Sequence, residues 1–258
     1  SVSSLSGEGG SGWGTIVLFR DLTEVQNLKR EIEKSRRLAS LGRLAAGVAH
    51  EIRNPLSSIK GFATYFKERY RDNPEDQKTA EIMIQEVDRL NRVIGQLLEF
   101  ARPVAIEKKP TSLHTLIHHS LRMVERQARE KDITIRKDLS PLVDKIPLDA
   151  DRINQVLLNL YLNAIEAMEK GGTLSVVLGM DSDPKRVKII VSDTGVGIGK
   201  KDLDQIFDPY FTTRQSGTGL GLAIVHNIIE SHMGEVRVQS QPGVGTMIII
   251  FLSAFEGS

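Results

Sequence analysis

His50 is followed at once by Glu51, and Asn54 and Pro55 come one helical turn later. An imidazole titrates near neutrality and, when exposed, is a nucleophile. Glu51 can accept the Nδ1 proton, which leaves Nε2 free to attack phosphorus. Asn54 falls on the same side of a helix as His50, where it can orient a water. Pro55 removes an intrahelical hydrogen bond and should kink the helix, which suits a mobile site. A zinc motif of the H-E-x-x-H kind is excluded, because position 54 is Asn. Taken alone, such a histidine is more often an ordinary surface residue.

Three further clusters lie downstream. Asn159 and Asn163 are spaced i, i+4 and share a helix face. Two carboxamides there suit the hydration shell of a hard cation or a phosphate oxygen, and Mg²⁺ favours oxygen ligands plus water. Asp193, at the end of the apolar run Val187–Val191, precedes Gly195 and Gly197. That places a carboxylate beside backbone that a ligand can approach closely, and a carboxylate can read an exocyclic amine such as adenine's. A plain Asp-Thr-Gly turn is the bland alternative. Gly217, Thr218, Gly219, Leu220 and Gly221 open a helix, where free N–H groups and the dipole favour phosphate. Neither the G-x-G-x-x-G fingerprint nor the Walker pattern is matched. Between the last two clusters, Phe207 to Arg214 leads into a Gly/Ser-rich stretch and reads as a mobile lid, with aromatic anchors and a cation at Arg214.

Helices and strands must hold these clusters in place. Residues 1–12 are Ser/Gly-rich and read as a flexible tail, and Thr15–Arg20 as a single strand. Val25, Leu28, Ile32, Ser35, Ala39, Gly42, Ala46 and Ala49 alternate steps of three and four, a heptad seam that predicts two chains side by side. The helix continues past Pro55 to about Tyr70, and 71–76 is a turn. A second amphipathic helix, with Ile82, Val87, Leu90, Val93, Ile94, Leu97 and Leu98 as its apolar face, stops near Pro103. Two such hairpins make a four-helix bundle. After Pro110, helices at 112–130, 151–169 and 219–232 are expected among strands at 132–138, 173–180, 186–192, 235–240 and 246–252. This is an α+β plan, with a dimeric helical hairpin followed by an α/β sandwich whose open sheet is covered by helices.

Bulk properties narrow the choices. Apolar residues are 40% and charged residues 26%, so a core can form. A formal net charge of +1 gives no basic excess for nucleic acid or an anionic membrane. Cysteine is absent, which excludes disulfides and thiolate metal sites. No run of about 20 apolar residues could span a bilayer. His114, His118 and His119 cluster on one helix without a carboxylate in place as a further ligand.

In this order and spacing, the clusters resemble the histidine-kinase family over about residues 25–252. The His50 segment resembles the phosphoacceptor box, Asn159 and Asn163 the N box, and Asp193, Gly195 and Gly197 the first glycine box. Phe207 and Phe211 resemble the F box, and Gly217, Gly219 and Gly221 the second glycine box. The wording AAGVAHEIRNPLSSIKG and DPYFTTRQSGTGLGLAIVHNII is similar to nitrogen-regulation and zinc-resistance-associated sensor kinases. Arg214 stands where many relatives carry Lys. The resemblance implies that His50 is phosphorylated from MgATP with Glu51 as base, and that the group passes to an Asp of a response regulator. It implies that Asn163 ligates Mg²⁺ with Asn159 close by, and that Asp193 binds adenine. Gly195, Gly197, Gly217, Gly219 and Gly221 would shape the pocket and lid, Thr246 would support the adenine end, and Asn54 would serve dephosphorylation of the regulator. Partners would be a second copy of the chain and a regulator of the sigma-54 activator type.

The implied organisation is a tail and last strand of a truncated PAS-like sensor domain over 1–24, helical signalling and phosphotransfer segments over 25–102, a hinge-like linker over 103–110 and an ATP-binding domain over 111–258. Such a fragment would be cytoplasmic, without membrane contact of its own, and cut from a protein of the bacterial inner membrane. An ATPase of the gyrase and chaperone type is the first rival, but it lacks a phosphoacceptor helix and usually has Glu at the position of Asn159. A non-catalytic dimerisation scaffold, the second, predicts a degenerate nucleotide site. A fragment acting mainly as a phosphatase is the third.

Overall fold

The computed structural model describes residues 2–5, 14–17, 52–100, 106–143, 145–214 and 217–255. His50, Glu51 and the heptad seam at 25–49 lie outside the described residues. Near the start, β1 (Val2–Leu5) pairs antiparallel with β2 (Gly14–Val17). The Ser-rich run read as tail therefore contains a strand, and the strand expected to stand alone has a partner.

Helix α1, described over 52–69, and α2 (Pro74–Phe100) form an antiparallel hairpin. Asn73 starts α2, its side chain accepting from the N–H groups of Glu75 and, at longer range, Asp76. Lys60 pairs with Asp88 at 2.6 Å and Lys67 with Glu81 at 2.9 Å, which fixes the register of the two helices. Leu56, Val87 and Ile94 make a small buried cluster, with Leu98 packed against it. Of the remaining apolar face expected for α2, Ile82 and Leu90 are exposed. Ile52, Ile59, Phe62 and Phe66 are exposed on α1 as well, as is Tyr70 just after it. A single hairpin thus buries one apolar stripe and leaves another open.

The second unit is built on a five-stranded mixed sheet, ordered β4-β6-β7-β9-β8. Its strands are β4 (Ile133–Leu139), β6 (Gly172–Met180), β7 (Arg186–Asp193), β8 (Glu235–Gln241) and β9 (Gly245–Ser253). Only the β4–β6 pairing is parallel, and β8 and β9 form the hairpin suggested by their spacing. Alternate residues point to one face: Leu174, Val176 and Leu178 from β6, Val187, Ile189 and Val191 from β7, and Ile248, Ile250 and Leu252 from β9. Helices α3 (Leu113–Glu130), α4 (Ala150–Ala167) and α6 (Gly221–Ser231) contribute to the same core. A single-turn helix, α5 (Lys200–Leu203), follows β7.

A second, two-stranded sheet has no counterpart in the sequence reading. β3 (Lys109–Ser112) pairs antiparallel with β5 (Lys145–Leu148), and Pro110 sits opposite Pro147. Each strand contains a proline, a residue that lacks a ladder donor and reads as a breaker; a two-stranded ribbon has edges that tolerate it. β3 takes in the last two residues of the segment read as a linker.

The chain entering this unit is tied down by Asp149. One carboxylate oxygen caps α4 by accepting from Arg152 N–H at 3.1 Å, and the other accepts from Glu107 N–H at 3.1 Å. The Asp149 N–H donates to His232 Nε2 at 3.1 Å, so the His232 proton resides on Nδ1, which donates to the Ile228 carbonyl at 2.8 Å. Lys108 Nζ donates to the His232 carbonyl at 3.3 Å. Burial holds the His232 pKa below the usual histidine value; the Lys108 charge adds to this, while the Ile228 carbonyl and the Asp149 charge oppose it. The unfolded chain therefore takes up this proton more readily than the folded one, and the stability present at neutral pH is lost as pH falls below about 6.5. Thermal unfolding between pH 8 and 5 is expected to show this decline. In His232→Gln that component of the decline should vanish, with stability at pH 8 lower by about 1–3 kcal/mol for the lost Asp149 partner.

Candidate functional site

Helix α4 sets the geometry of the site. Its apolar face (Ile153, Val156, Leu157, Leu160, Tyr161, Ala164 and Ile165) is buried against the sheet and the neighbouring helices. The opposite face carries Asn159, Asn163 and Glu166, spaced i, i+4 and i+7, and all three line a cavity of about 610 Å³. Glu166 belongs to this face although no motif singles it out.

The cavity wall opposite is formed by the ends of β7 and β9. Asp193 and Thr246 sit opposite each other in the β7–β9 register and both line the cavity. Asp193 Oδ1 accepts from Gly195 N–H at 2.8 Å. Burial raises the Asp193 pKa above the ordinary carboxylate value; hydrogen bonds from the Gly195 and Thr246 backbones and the Arg214 charge oppose the rise. Thr246 Oγ1 shares a 2.9 Å hydrogen bond with Ser240 Oγ. Ser240 Oγ also lies 2.8 Å from the N–H of Ile198 and so ties the first glycine segment to β8. Gly197, at φ +67°, lies against the Gln241 carbonyl where a Cβ would collide.

The third wall is the lid and the start of α6. Phe211, Thr212, Arg214, Gly217, Thr218, Gly219 and Gly221 line the cavity. Gly219, at φ +67°, packs on the backbone of Tyr210 and Phe211, and its carbonyl accepts from Tyr210 N–H at 3.0 Å. The N-cap of α6 is Leu220, which offers no side-chain acceptor to the first-turn N–H groups. Those donors therefore open beside the amides of α4, with the Asn163 side chain about 3.7 Å from where a Gly221 Cβ would stand. Arg214 ties the lid to α4: its guanidinium donates to Glu166 Oε2 at 2.7 Å and to the Asn163 carbonyl at 2.9 Å.

Three residues of the nucleotide-binding motifs stand apart from the cavity wall. Leu220 is buried in the core, because its side chain turns away from the helix start whose backbone faces the cavity. Phe207 packs against the His226 ring at 5.4 Å. Gly195 packs against the Ala167 backbone at the end of α4, where a Cβ would stand 2.6 Å from the carbonyl oxygen. Arg89 and Arg92 of α2, which carry no sequence signal, also line the cavity, together with Val93 of its expected apolar face. Asn54 is exposed on α1 and is not among the lining residues. The histidines of α3 are engaged separately: His114 Nε2 lies 2.9 Å from the Ser140 carbonyl and His118 Nδ1 3.0 Å from Lys137 Nζ.

Comparison with known proteins agrees with this arrangement. Residues 148–255 match the family model described as histidine kinase-, DNA gyrase B- and HSP90-like ATPase, and residues 40–105 match the His Kinase A (phospho-acceptor) domain. Histidine kinase ThkA, solved in complex with response regulator protein TrrA, is 30% identical with a TM-score of 0.65, over 94% of this chain and 70% of that one. Full-length ShkA, solved in complex with AMPPNP, is 25% identical with a TM-score of 0.70, over 84% of this chain and 47% of that one. The sensor histidine kinase ZraS of Escherichia coli K12 is 48% identical over 233 residues, 90% of this chain. AtoS, a signal transduction histidine-protein kinase of the same strain, is 38% identical over 239 residues, 93% of this chain. With a phosphoacceptor hairpin and an ATPase-type sheet on one polypeptide, the chain belongs to the histidine-kinase family. It spans about half the length of the ZraS relatives it matches. Among the described residues no helix is long and apolar enough to cross a membrane.

The Arg214–Glu166 pair is partly exposed, so it holds the lid only weakly. Glu166→Gln is expected to raise the rate of tryptic cleavage after Arg214 by about fivefold relative to the parent chain, read by the fragment pattern under native conditions.

Proposed function

We propose that this chain is the kinase portion of a sensor histidine kinase that phosphorylates His50 from ATP and passes the phosphoryl group to an aspartate of a response regulator. The observation that carries this reading is one cavity that joins a half-buried carboxylate, Asp193, to a face of carboxamides and an uncapped helix start. Asp193 suits the exocyclic amine of adenine, with Thr246 supporting the same end. The α6 N-terminus with Gly217, Gly219 and Gly221 suits the phosphates, and Arg214 is the cation on the lid. Asn163, with Asn159 one turn away, presents the oxygen donor that Mg²⁺ accepts, and the ion would neutralise charge on the phosphates. A Glu base at position 159, as in the ATPases of the gyrase type, is absent.

In the proposed transfer, the His50 Nε2 lone pair forms a bond to the γ-phosphorus as the bond from that phosphorus to the β,γ-bridging oxygen breaks. ADP departs with the electron pair, and Glu51 takes the Nδ1 proton. In the second step a carboxylate oxygen of the regulator bonds to phosphorus as the N–P bond breaks; Nε2 keeps the electron pair, and Glu51 returns the proton to Nδ1, which restores the neutral imidazole. Asn54, one turn from His50, is suited to orient a water for dephosphorylation of the regulator. A partner of the sigma-54 activator type is the finer expectation, drawn from the resemblance of the motif wording to nitrogen-regulation and zinc-resistance-associated sensor kinases.

The open apolar stripe of the hairpin supports a homodimer in which a second hairpin completes a four-helix bundle. A full-length protein anchored in the bacterial inner membrane, with this portion in the cytoplasm, fits the same reading. So does the division proposed from the sequence: a PAS-like end before residue 25, helical segments to 102, a linker over 103–110 and an ATP-binding domain from 111.

Incubation with γ-labelled ATP and Mg²⁺ is expected to give acid-labile, base-stable label that is absent in His50→Gln. Label retained in that variant would refute His50 as acceptor. Asp193→Asn is expected to weaken ATP binding about a hundredfold, because a charged acceptor is lost in a half-buried place. Phe62→Glu, on the open stripe where Phe62 is 63% exposed, should convert the dimer to monomer in sedimentation equilibrium.

A further inference from the structure

The nucleotide cavity is not made by the ATPase-type unit alone. Helix α2 of the hairpin touches α6, the helix whose uncapped N-terminus opens on the cavity. Arg89, Arg92 and Val93 of α2 line the same cavity, whereas no described residue of α1 does. The two arginines differ in their bonding. Arg89 is engaged by Glu86 at 3.4 Å, while Arg92 is exposed and makes no ion pair or hydrogen bond among the described residues. The acidic groups on the cavity wall are already placed: Glu166 is held by Arg214, and Asp193 accepts from the Gly195 backbone on the β7–β9 wall. Among the described residues the Arg92 charge is thus left without a counter-ion.

We propose that Arg92 is a ligand-binding residue of this cavity, whose guanidinium pairs with the terminal phosphate of ATP from the side of the hairpin. This rests on the nucleotide reading given above. A guanidinium matches phosphate oxygens in a two-pronged geometry that an ammonium does not reproduce. The pairing gives the hairpin a share in nucleotide affinity and makes that share depend on the γ-phosphate. Replacement of ATP by ADP would then loosen α2 from the ATPase-type unit after each transfer.

The test is equilibrium binding of ATP and of ADP by the full 258-residue chain, by calorimetry, for the parent, Arg92→Ala, Arg92→Lys and the exposed α2 control Lys78→Ala. Arg92→Ala is expected to weaken ATP binding about fivefold and ADP binding less than twofold, with Arg92→Lys between parent and Ala, and Lys78→Ala like the parent. Unchanged ATP affinity in Arg92→Ala, or an equal loss for ATP and ADP, would overturn the inference while leaving the nucleotide site intact. Failure of the parent chain to bind either nucleotide would overturn the nucleotide reading itself and this inference with it.

Discussion

Burial of one face of α4 is the constraint on which the rest of this structure depends. The helix is pinned between α3 and α6 on the sheet by Ile153, Leu157, Leu160 and Tyr161. Because 3.6 residues make a turn, an apolar face fixed there leaves Asn159, Asn163 and Glu166 no choice of direction. Everything that meets at the cavity is positioned against this helix. The first glycine segment is stitched to its end by Val196 N–H donating to the Ala167 carbonyl at 3.1 Å. The lid is stitched to it by Arg214, and α6 approaches Asn163 through a glycine that leaves room for the side chain. An apolar packing problem is solved on one side of α4, and a polar site is its product on the other.

The same division of labour explains which parts of the fold were legible in the sequence. The long elements announce themselves by period: the alternation in β6, β7 and β9 and the 3.6-residue spacing in α3 and α4 put their bounds within one or two residues of those observed. The β3–β5 ribbon escaped because Pro110 and Pro147 read as punctuation, and only a partner distant in sequence turns such segments into strands. β1 escaped for a related reason, since Val2–Leu5 is half serine and its partner Gly14–Val17 follows a glycine-rich stretch of sequence. α5 is a single turn and too short to show a period.

At the site, residue type was a better guide than residue role. Asn159, Asn163, Asp193, Arg214, Thr246 and most of the glycines converge on one cavity, as their chemistry suggested. Leu220 and Phe207 travelled with the motifs as neighbours and proved to serve packing. Glu166 could have been found by extending the asparagine face one more turn, to i+7. The α2 arginines carried no signal, because their relevance arises from one helix lying beside another rather than from any spacing along the chain. His50 and Glu51 lie outside the described residues, so their place rests on sequence similarity and on the match of 40–105 to the phospho-acceptor domain.

Asp149 joins two features of the molecule that a diagram of domains keeps separate. Its carboxylate holds the incoming chain at Glu107 and also closes the first turn of α4, while its own N–H is held by the buried His232. From that cap, ten residues of rigid helix, about 15 Å, lead to Asn159. Torque applied to the segment at 106–108 therefore does not dissipate in a slack tether. It arrives at the end of a stiff rod whose far half carries the carboxamides, with the imidazole as its bearing.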